Sequence, residues 1–245
     1  MYLLPLFPLR RAQVVIRVVL QIIVISTLLL ACGCATLSKQ QLSYQPGVAV
    51  ETLSAAASLA ISRGEQGMGS SGYLLYQRPD RMRLVILSPF GTTLMEAIVT
   101  GNKITIINNA KSEAYSGLLE DLPRIGQGGT FFHARWVMDT DAPGRFSGDG
   151  SLERINSLGD TERVTFENGL IVSKTLANGD MVRYRDYMLV SGVPLATEII
   201  MDSHDGGRFR IKLSEPEVNA ELAPDAFLIR LEGLTGYPLS ALQGP

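Results

Sequence analysis

The sequence is short of the residues that build most reactive centres. Of 245 residues, two are cysteine, two are histidine and one is tryptophan. Both cysteines, Cys32 and Cys34, lie near the N-terminus. A disulfide between them would be strained, because bridged Cα atoms prefer about 5.5–6 Å. A zinc site needs four ligands, more than two thiols and two distant histidines supply. The rest of the chain has no thiol and must fold on its apolar core. No Walker loop, dinucleotide fingerprint or calcium loop occurs, and no Gly-x-Ser-x-Gly elbow. His133 and His204 would need a serine brought to them by the fold to make a triad. Glu113, Glu120 and Asp121 could form a glycosidase-type pair only with the right separation; loop carboxylates are more often solvated surface. No catalytic residue, metal or cofactor is expected, and the chain is not expected to be an enzyme.

Acidic residues are also absent from the first 34 positions, which hold Arg10, Arg11 and Arg17. An apolar stretch from Val18 to Leu30 follows, interrupted by Gln21, Ser26 and Thr27. This is the layout of a secretory signal, and it is short for a membrane span, which takes about 20 residues. An uncleaved anchor helix is the competing reading. Leu29-Leu30-Ala31-Cys32 then has the form of a bacterial lipobox, with leucine three places before the cysteine and a small residue just before it. Cys32 is the favoured lipidation site and Cys34, preceded by Ala31 and Gly33, the alternative. Pro5, Pro8 and the length of the leader leave open a start codon downstream of Met1. Where Asp after the lipidated cysteine acts as an inner-membrane retention signal, Gly33 in that place directs the protein to the outer membrane. Loss of the three leader arginines shifts the net charge from −2 to −5. A mildly acidic chain speaks against nucleic acid as a partner.

The expected organisation is a signal peptide over 1–31, a lipidated N-terminus and tether over 32–47, and one β domain over 48–245. Residues 35–47 lack periodicity and end in Pro46-Gly47. Val48 to Ser62 reads as a helix, with Val50, Leu53, Ala57 and Ala60 at helical spacing and Arg63-Gly64 ending it. Strands follow at Gly72–Gln77, Met82–Ser88, Thr92–Thr100 and Lys103–Asn108. Residues 111–128 are ambiguous, Thr130–Asp139 reads as a short helix, and 142–150 is a glycine-rich loop. Further strands are Leu170–Leu176, Met181–Tyr187, Leu195–Met201 and Arg208–Leu213. Asn168-Gly169, Asn178-Gly179 and Asp205-Gly206-Gly207 mark hairpins, because those residues tolerate the positive φ of tight type I′ turns. In the last strand Arg208, Arg210 and Lys212 alternate with Phe209, Ile211 and Leu213, giving one wet and one covered face. Asn219 to Leu231 reads as a final strand, and the tail is unplaced. The fold class is mainly β: about nine to eleven strands in one large, strongly curled antiparallel sheet, with two or three helices on one face.

Asp80-Arg81-Met82-Arg83-Leu84-Val85-Ile86-Leu87-Ser88-Pro89-Phe90-Gly91 resembles a stretch of the LolB family of outer-membrane lipoprotein receptors, where a strand opening with Asp-Arg leads to a Pro-Leu-Gly turn. Phe132 to Met138, with Arg135-Trp136, is similar to that family's lid helix. Val182–Tyr187, Pro194 and Asp205–Leu213 resemble its last hairpins. The likeness spans roughly residues 72–215. It implies a half-open β-barrel with a helical lid, an apolar cavity and a lipid anchor, lipoprotein cargo, and a periplasmic LolA-like carrier as partner. Phe90 stands where the family has an exposed leucine linked to membrane delivery, so Pro89, Phe90 and Gly91 are the expected membrane-insertion turn. About thirty residues continue past Leu213, where the family ends, and the segment before residue 70 shows little likeness.

An exposed Phe90 costs about 2 kcal/mol that burial in a membrane or partner would recover; the bland alternative folds it back on the sheet edge. Leu84, Ile86, Ile104, Ile106, Phe209, Ile211 and Leu213 each sit on one strand face, as ordinary core or as the wall of an acyl-chain cavity. Phe132 and Trp136 are lid candidates, with packing as their first role. A carrier of acyl chains or lipoproteins at the outer membrane is the leading expectation. A filled half-barrel acting as a scaffold for an envelope protein is the alternative, and an envelope hydrolase the third reading.

Overall fold

The computed structural model describes residues 42–64, 66–122, 133–140, 144–146 and 148–242. Cys32, Cys34, the leader and Phe132 lie outside them. The chain divides into two units, Met1–Gln41 and Leu42–Pro245, and all described residues belong to the second. Every strand pairing and core contact given below lies within that unit, which therefore carries what it needs to fold by itself.

The strands are β1 (Thr52–Arg63), β2 (Gln66–Gln77), β3 (Arg81–Leu87), β4 (Thr93–Thr100), β5 (Lys103–Asn108), β6 (Glu113–Leu118), β7 (Gly150–Ile155), β8 (Thr161–Glu167), β9 (Leu170–Leu176), β10 (Met181–Val190), β11 (Val193–Asp202), β12 (Gly207–Val218) and β13 (Thr235–Pro238). One helix, α1 (Ala134–Met138), and two single 3-10 turns, Leu119–Asp121 and Leu239–Ala241, complete the described elements. All thirteen strands form one sheet, in the order β13-β6-β5-β4-β3-β2-β1-β12-β11-β10-β9-β8-β7. The sheet does not close, and its ends are β13 and β7. It is the half-open barrel that the resemblance implies, with more strands than expected and, among the described residues, a single α-helix.

The expected helix over Val48–Ser62 is a strand. Ala-rich composition suggested a helix, but Leu53, Ala55, Ala57 and Leu59 are buried in strict alternation, the period of a pleated strand. β1 joins the two halves of the sheet, pairing with β2 from Thr52↔Gln77 to Arg63↔Gln66 and with β12 from Leu53↔Val218 to Arg63↔Gly207. Alanine is the best helix former, but long-range pairing on both sides outweighs that local preference. Asn219 stops β12 at positive φ (58°). Its Oδ1 accepts the N–H groups of Glu51 (2.7 Å) and Thr52 (3.3 Å), and its Nδ2 donates to the Ala49 carbonyl (3.0 Å).

The expected final strand over Asn219–Leu231 is also corrected. Those residues contain no strand. They run over the outer face, where Arg83 Nη1 donates to the Ala226 carbonyl at 3.0 Å. Leu234 then packs on Ile98, Ile107 and Ala114, the outer-facing apolar residues of β4, β5 and β6. β13 pairs with β6 in parallel, and Leu239 enters the inner core beside Leu119 and Leu122. The tail is a strap around one edge of the sheet.

Of the three hairpin signals, Asn168-Gly169 is a two-residue turn with both φ positive, 52° and 75°. Residues 176–180 and 203–207 instead form three-residue loops, each closed by an N–H to carbonyl bond between its end residues. Their glycines, Gly179 and Gly206, take the single left-handed position, the familiar type I turn with a bulge. Residues 88–92 and 156–160 repeat this device.

The inner face carries two apolar clusters. One lies on β1–β6 with parts of β11 and β12; the other lies on β8–β11 beneath α1. On the outer face Glu198 pairs with Arg210 and Lys212, and Asp202 with Arg183 and Arg208. The alternation read in β12 is the one observed. No helix among the described residues is long and apolar enough to cross a membrane.

Candidate functional site beneath a short helix

A five-residue helix is far too short to be stable by itself, so α1 depends on what holds it. Trp136 is buried and its Nε1 donates to Glu162 Oε2 at 2.6 Å. Glu162, also buried, accepts Arg154 Nε at 2.7 Å. The open carbonyls at the C-terminal end are met by inner-face side chains. Tyr184 Oη donates to the Val137 carbonyl at 2.6 Å. Lys174 Nζ donates to the Trp136 carbonyl, and to that of Asp139 at 2.8 Å. These are the groups a helix leaves without internal partners, and they carry the negative end of its dipole. Burial pushes the Tyr184 phenol well above its ordinary range, so it remains a neutral donor. At the N-terminal end His133 Nε2 lies 3.0 Å from Asp180 Oδ2; just past the C-terminal end Arg78 Nη2 donates to the Thr140 carbonyl at 2.7 Å.

Between the helix and the sheet is a cavity of about 60 Å³, bounded by Val137 and Met138 of α1, Leu53 and Tyr76 of β1 and β2, and Leu195 and Leu213 of β11 and β12. That is room for about four water molecules. Its wall is mostly aliphatic and aromatic.

A second feature lies on the rim. In the turn between β3 and β4, Ser88 Oγ accepts the N–H groups of Phe90 and Thr92, both at 3.2 Å, and meets Thr92 Oγ1 at 2.7 Å. Gly91 takes the left-handed position, φ 81°. The loop is thereby held from within, and the Phe90 side chain is 92 % exposed. It does not fold back on the sheet edge.

No protein-family model matches the sequence, and no curated protein matches it. Solved structures do. One is a domain described as an outer membrane lipoprotein-sorting protein from Vibrio parahaemolyticus, with TM-score 0.56, 10% identity, and 74% of this chain and 90% of that chain covered. A DUF1329 family protein from Desulfovibrio piger follows at TM-score 0.53 and 12% identity, covering 73% and 90%. A LolA superfamily protein from Nitrosomonas europaea has TM-score 0.50 and 13% identity, covering 74% and 92%. This chain has the LolA/LolB-like fold. At such identities the likeness concerns the fold, not the task.

Within that fold the residues singled out by sequence fall in different places. Leu84, Ile104, Ile106, Ile211 and Leu213 are buried in the first cluster; Ile86 is half-buried at its margin, and Phe209 touches both clusters. Of these, Leu213 also lines the cavity. Trp136 packs under the helix against the second cluster. Tyr44, in the expected tether, donates from Oη to the Asn168 carbonyl at 2.9 Å, so the end of that segment is held on the β8–β9 turn. Glu113 accepts Tyr115 Oη and Asp121 accepts the Leu118 N–H, local contacts rather than a convergent pair. Among the described residues no group of three His, Cys, Asp or Glu could hold a metal.

Sequence reasoning missed Glu162, Lys174, Tyr184 and Asp180, the side chains that hold α1. Their signal was present. Glu162 shares a face with Val164 and Phe166, and Lys174 with Leu176, where the alternation calls for apolar residues. Glu162 hid β8, and Arg154 hid β7.

His133 and His204 both meet Asp180, the second through Nδ1 at 2.8 Å. Ser203 Oγ donates to the carboxylate, not to an imidazole, so no serine–histidine pair forms there. Burial pushes the Asp180 carboxyl up, but hydrogen bonds from the His204 backbone and ring and from Asn178, with His133 nearby, outweigh it and hold it at about 2. A carboxyl lower in the folded than in the unfolded chain stabilises above about pH 4. That contribution fades as pH falls towards about 2. Asp180→Asn should cost ~2 kcal/mol near neutral pH and about a third of that at pH 2.5. Urea titrations of both proteins at the two pH values measure the difference; an equal gap at both would rule this out.

Proposed function

We propose that this chain is an envelope lipoprotein, anchored through Cys32 (or Cys34), that holds acyl chains or lipoproteins against the inner face of its sheet and helps deliver them to the outer membrane. The observation that carries the reading is the apolar cavity between the sheet and a helix too short to stand alone. A cavity of this size admits water and not a whole acyl chain, so the guest is accommodated when α1 lifts. α1 is held by hydrogen bonds, mostly to its backbone, and by the packing of Trp136 and Val137 on the second cluster, none of which is part of the sheet's own strand pairing. Apolar burial is non-directional, at about 0.8 kcal/mol per CH₂, which suits a carrier that must release what it holds. The described function of one structural neighbour, lipoprotein sorting, agrees with this reading. Lipoprotein cargo and a LolA-like periplasmic carrier are the partners it implies.

The test is to purify the domain from Leu42 to Pro245, extract it and identify bound lipid by mass spectrometry, with displacement of the apolar dye N-phenyl-1-naphthylamine as a second readout. Stoichiometric, displaceable lipid is expected. Absence of both lipid and dye binding would remove the carrier reading. It would favour the scaffold reading, for which the small cavity speaks: a half-barrel almost filled by its own side chains that binds a protein partner.

Phe90 is the proposed point of bilayer contact. Phe90→Glu should leave the melting temperature within about 1 °C, since an exposed side chain contributes little to folding. It should reduce flotation of the domain with phospholipid vesicles by tenfold or more, because burying a phenylalanine contributes about 2 kcal/mol and a buried carboxylate opposes it. Unchanged flotation would remove Phe90 from the membrane contact.

A further inference from the structure

One residue of the cavity wall carries a buried polar atom without an account. Tyr76 of β2 is buried, 3 % exposed, and lines the cavity. Its Oη is buried and has no hydrogen-bond partner among the described residues. The other two tyrosines on this wall are satisfied: Tyr184 donates to the Val137 carbonyl and Tyr187 to the Ile171 carbonyl, both at 2.6 Å. A phenol buried without a partner is destabilising, and phenylalanine would fill the same space without that penalty. An unpaired buried donor beside an apolar cavity is therefore a group held ready for an acceptor that the guest brings.

The surroundings narrow the acceptor. Among the charged groups near Tyr76, Arg78 acts most strongly, and Asp139, Glu51 and Asp80 act against it. Arg78 is engaged with the Thr140 and Val50 carbonyls and lies 3.8 Å from Glu51. With Arg78 already engaged, an apolar wall disfavours an ionised guest. A neutral carbonyl oxygen costs less to bury and accepts well from a phenol.

We propose that Tyr76 is the specificity-determining contact of the cavity, donating a hydrogen bond to the ester or amide carbonyl at the head of a bound acyl chain. The guest class is thus acyl esters and amides, such as phospholipids or acylated polypeptides, rather than free fatty acids or plain hydrocarbon. This rests on the carrier reading and names its substrate chemistry.

The test uses the Leu42–Pro245 domain and three ligands of similar length: methyl decanoate, sodium decanoate and undecane. Each competes with N-phenyl-1-naphthylamine, on the wild type and on Tyr76→Phe. Tyr76→Phe should weaken methyl decanoate binding by about tenfold, the factor that one well-made hydrogen bond contributes. Its undecane affinity should be unchanged, and its melting temperature equal to or above that of the wild type. A merely structural role for the hydroxyl would lower stability and leave the ester affinity intact, and that result overturns the proposal. An equal change in ester and hydrocarbon affinity overturns it as well. Preferred binding of decanoate overturns the assignment to a neutral carbonyl. If no ligand and no dye binds, the carrier reading itself fails, a result distinct from equal binding of all three.

Discussion

Gly72→Ala should unfold the domain or lower its stability by at least about 3 kcal/mol, the upper range for overpacking. A Cβ at Gly72 would lie 1.8 Å from the Val85 carbonyl oxygen and 2.9 Å from its carbon. Those atoms are backbone of β3, and β3 is held in place by β4 on its far side. β2 cannot move away either, because β1 pairs with it along its full length. No flexible side chain is available to give way. Gly69→Ala is the control in the same strand, since the nearest atom to its Cβ would be the Leu59 carbonyl oxygen at 3.6 Å, an ordinary contact. Urea denaturation of the two variants should separate them widely. Equal, small effects would mean that β2 and β3 do not approach this closely in solution.

The second large effect is expected from the strap. A chain ending at Asn219 loses the cover over Ile98, Ile107 and Ala114, which are at most 4 % exposed, and loses Leu239 from the inner core. Each large aliphatic residue returned to water costs about 1.5–3 kcal/mol. The total, on the order of 5 kcal/mol, rivals the whole stability of a typical domain. The truncated chain should bind an apolar dye on its outer face and melt far below the full domain, or fail to fold. Leu239→Ala, a smaller lesion, should cost about 2–5 kcal/mol. If removal of residues 220–245 leaves the melting temperature unchanged, the strap is not part of the folded core.

These two sites show where sequence reading succeeds and where it stops. The eight strands assigned between Gly72 and Leu213 are present, and the turn at Pro89-Phe90-Gly91 was legible because a proline and a glycine bracket it. β1 was not, because Leu53, Ala57 and Ala60 satisfy helical spacing while Leu53, Ala55, Ala57 and Leu59 satisfy strand spacing. With alanines and serines between them, no local preference separates the two periods. β7 and β8 were missed because Arg154 and Glu162 sit where an inward-facing strand residue is normally apolar. Their inward charges hold α1 through Trp136, so the residues of greatest interest at the site were those that blurred the pattern.

By itself the sequence determined the class of the domain: an antiparallel sheet with apolar alternation on one face, and tight turns where glycine and asparagine permit them. These follow from local rules, which any stretch of residues obeys wherever it ends up. The tertiary structure decided what depends on partners distant in the chain. Asp180 gathers both histidines, Glu162 and Lys174 become supports of a helix, Tyr76 is left without an acceptor, and the tail becomes a strap. A side chain's partner is set by the register and curvature of the whole sheet, and neither is written in its neighbours.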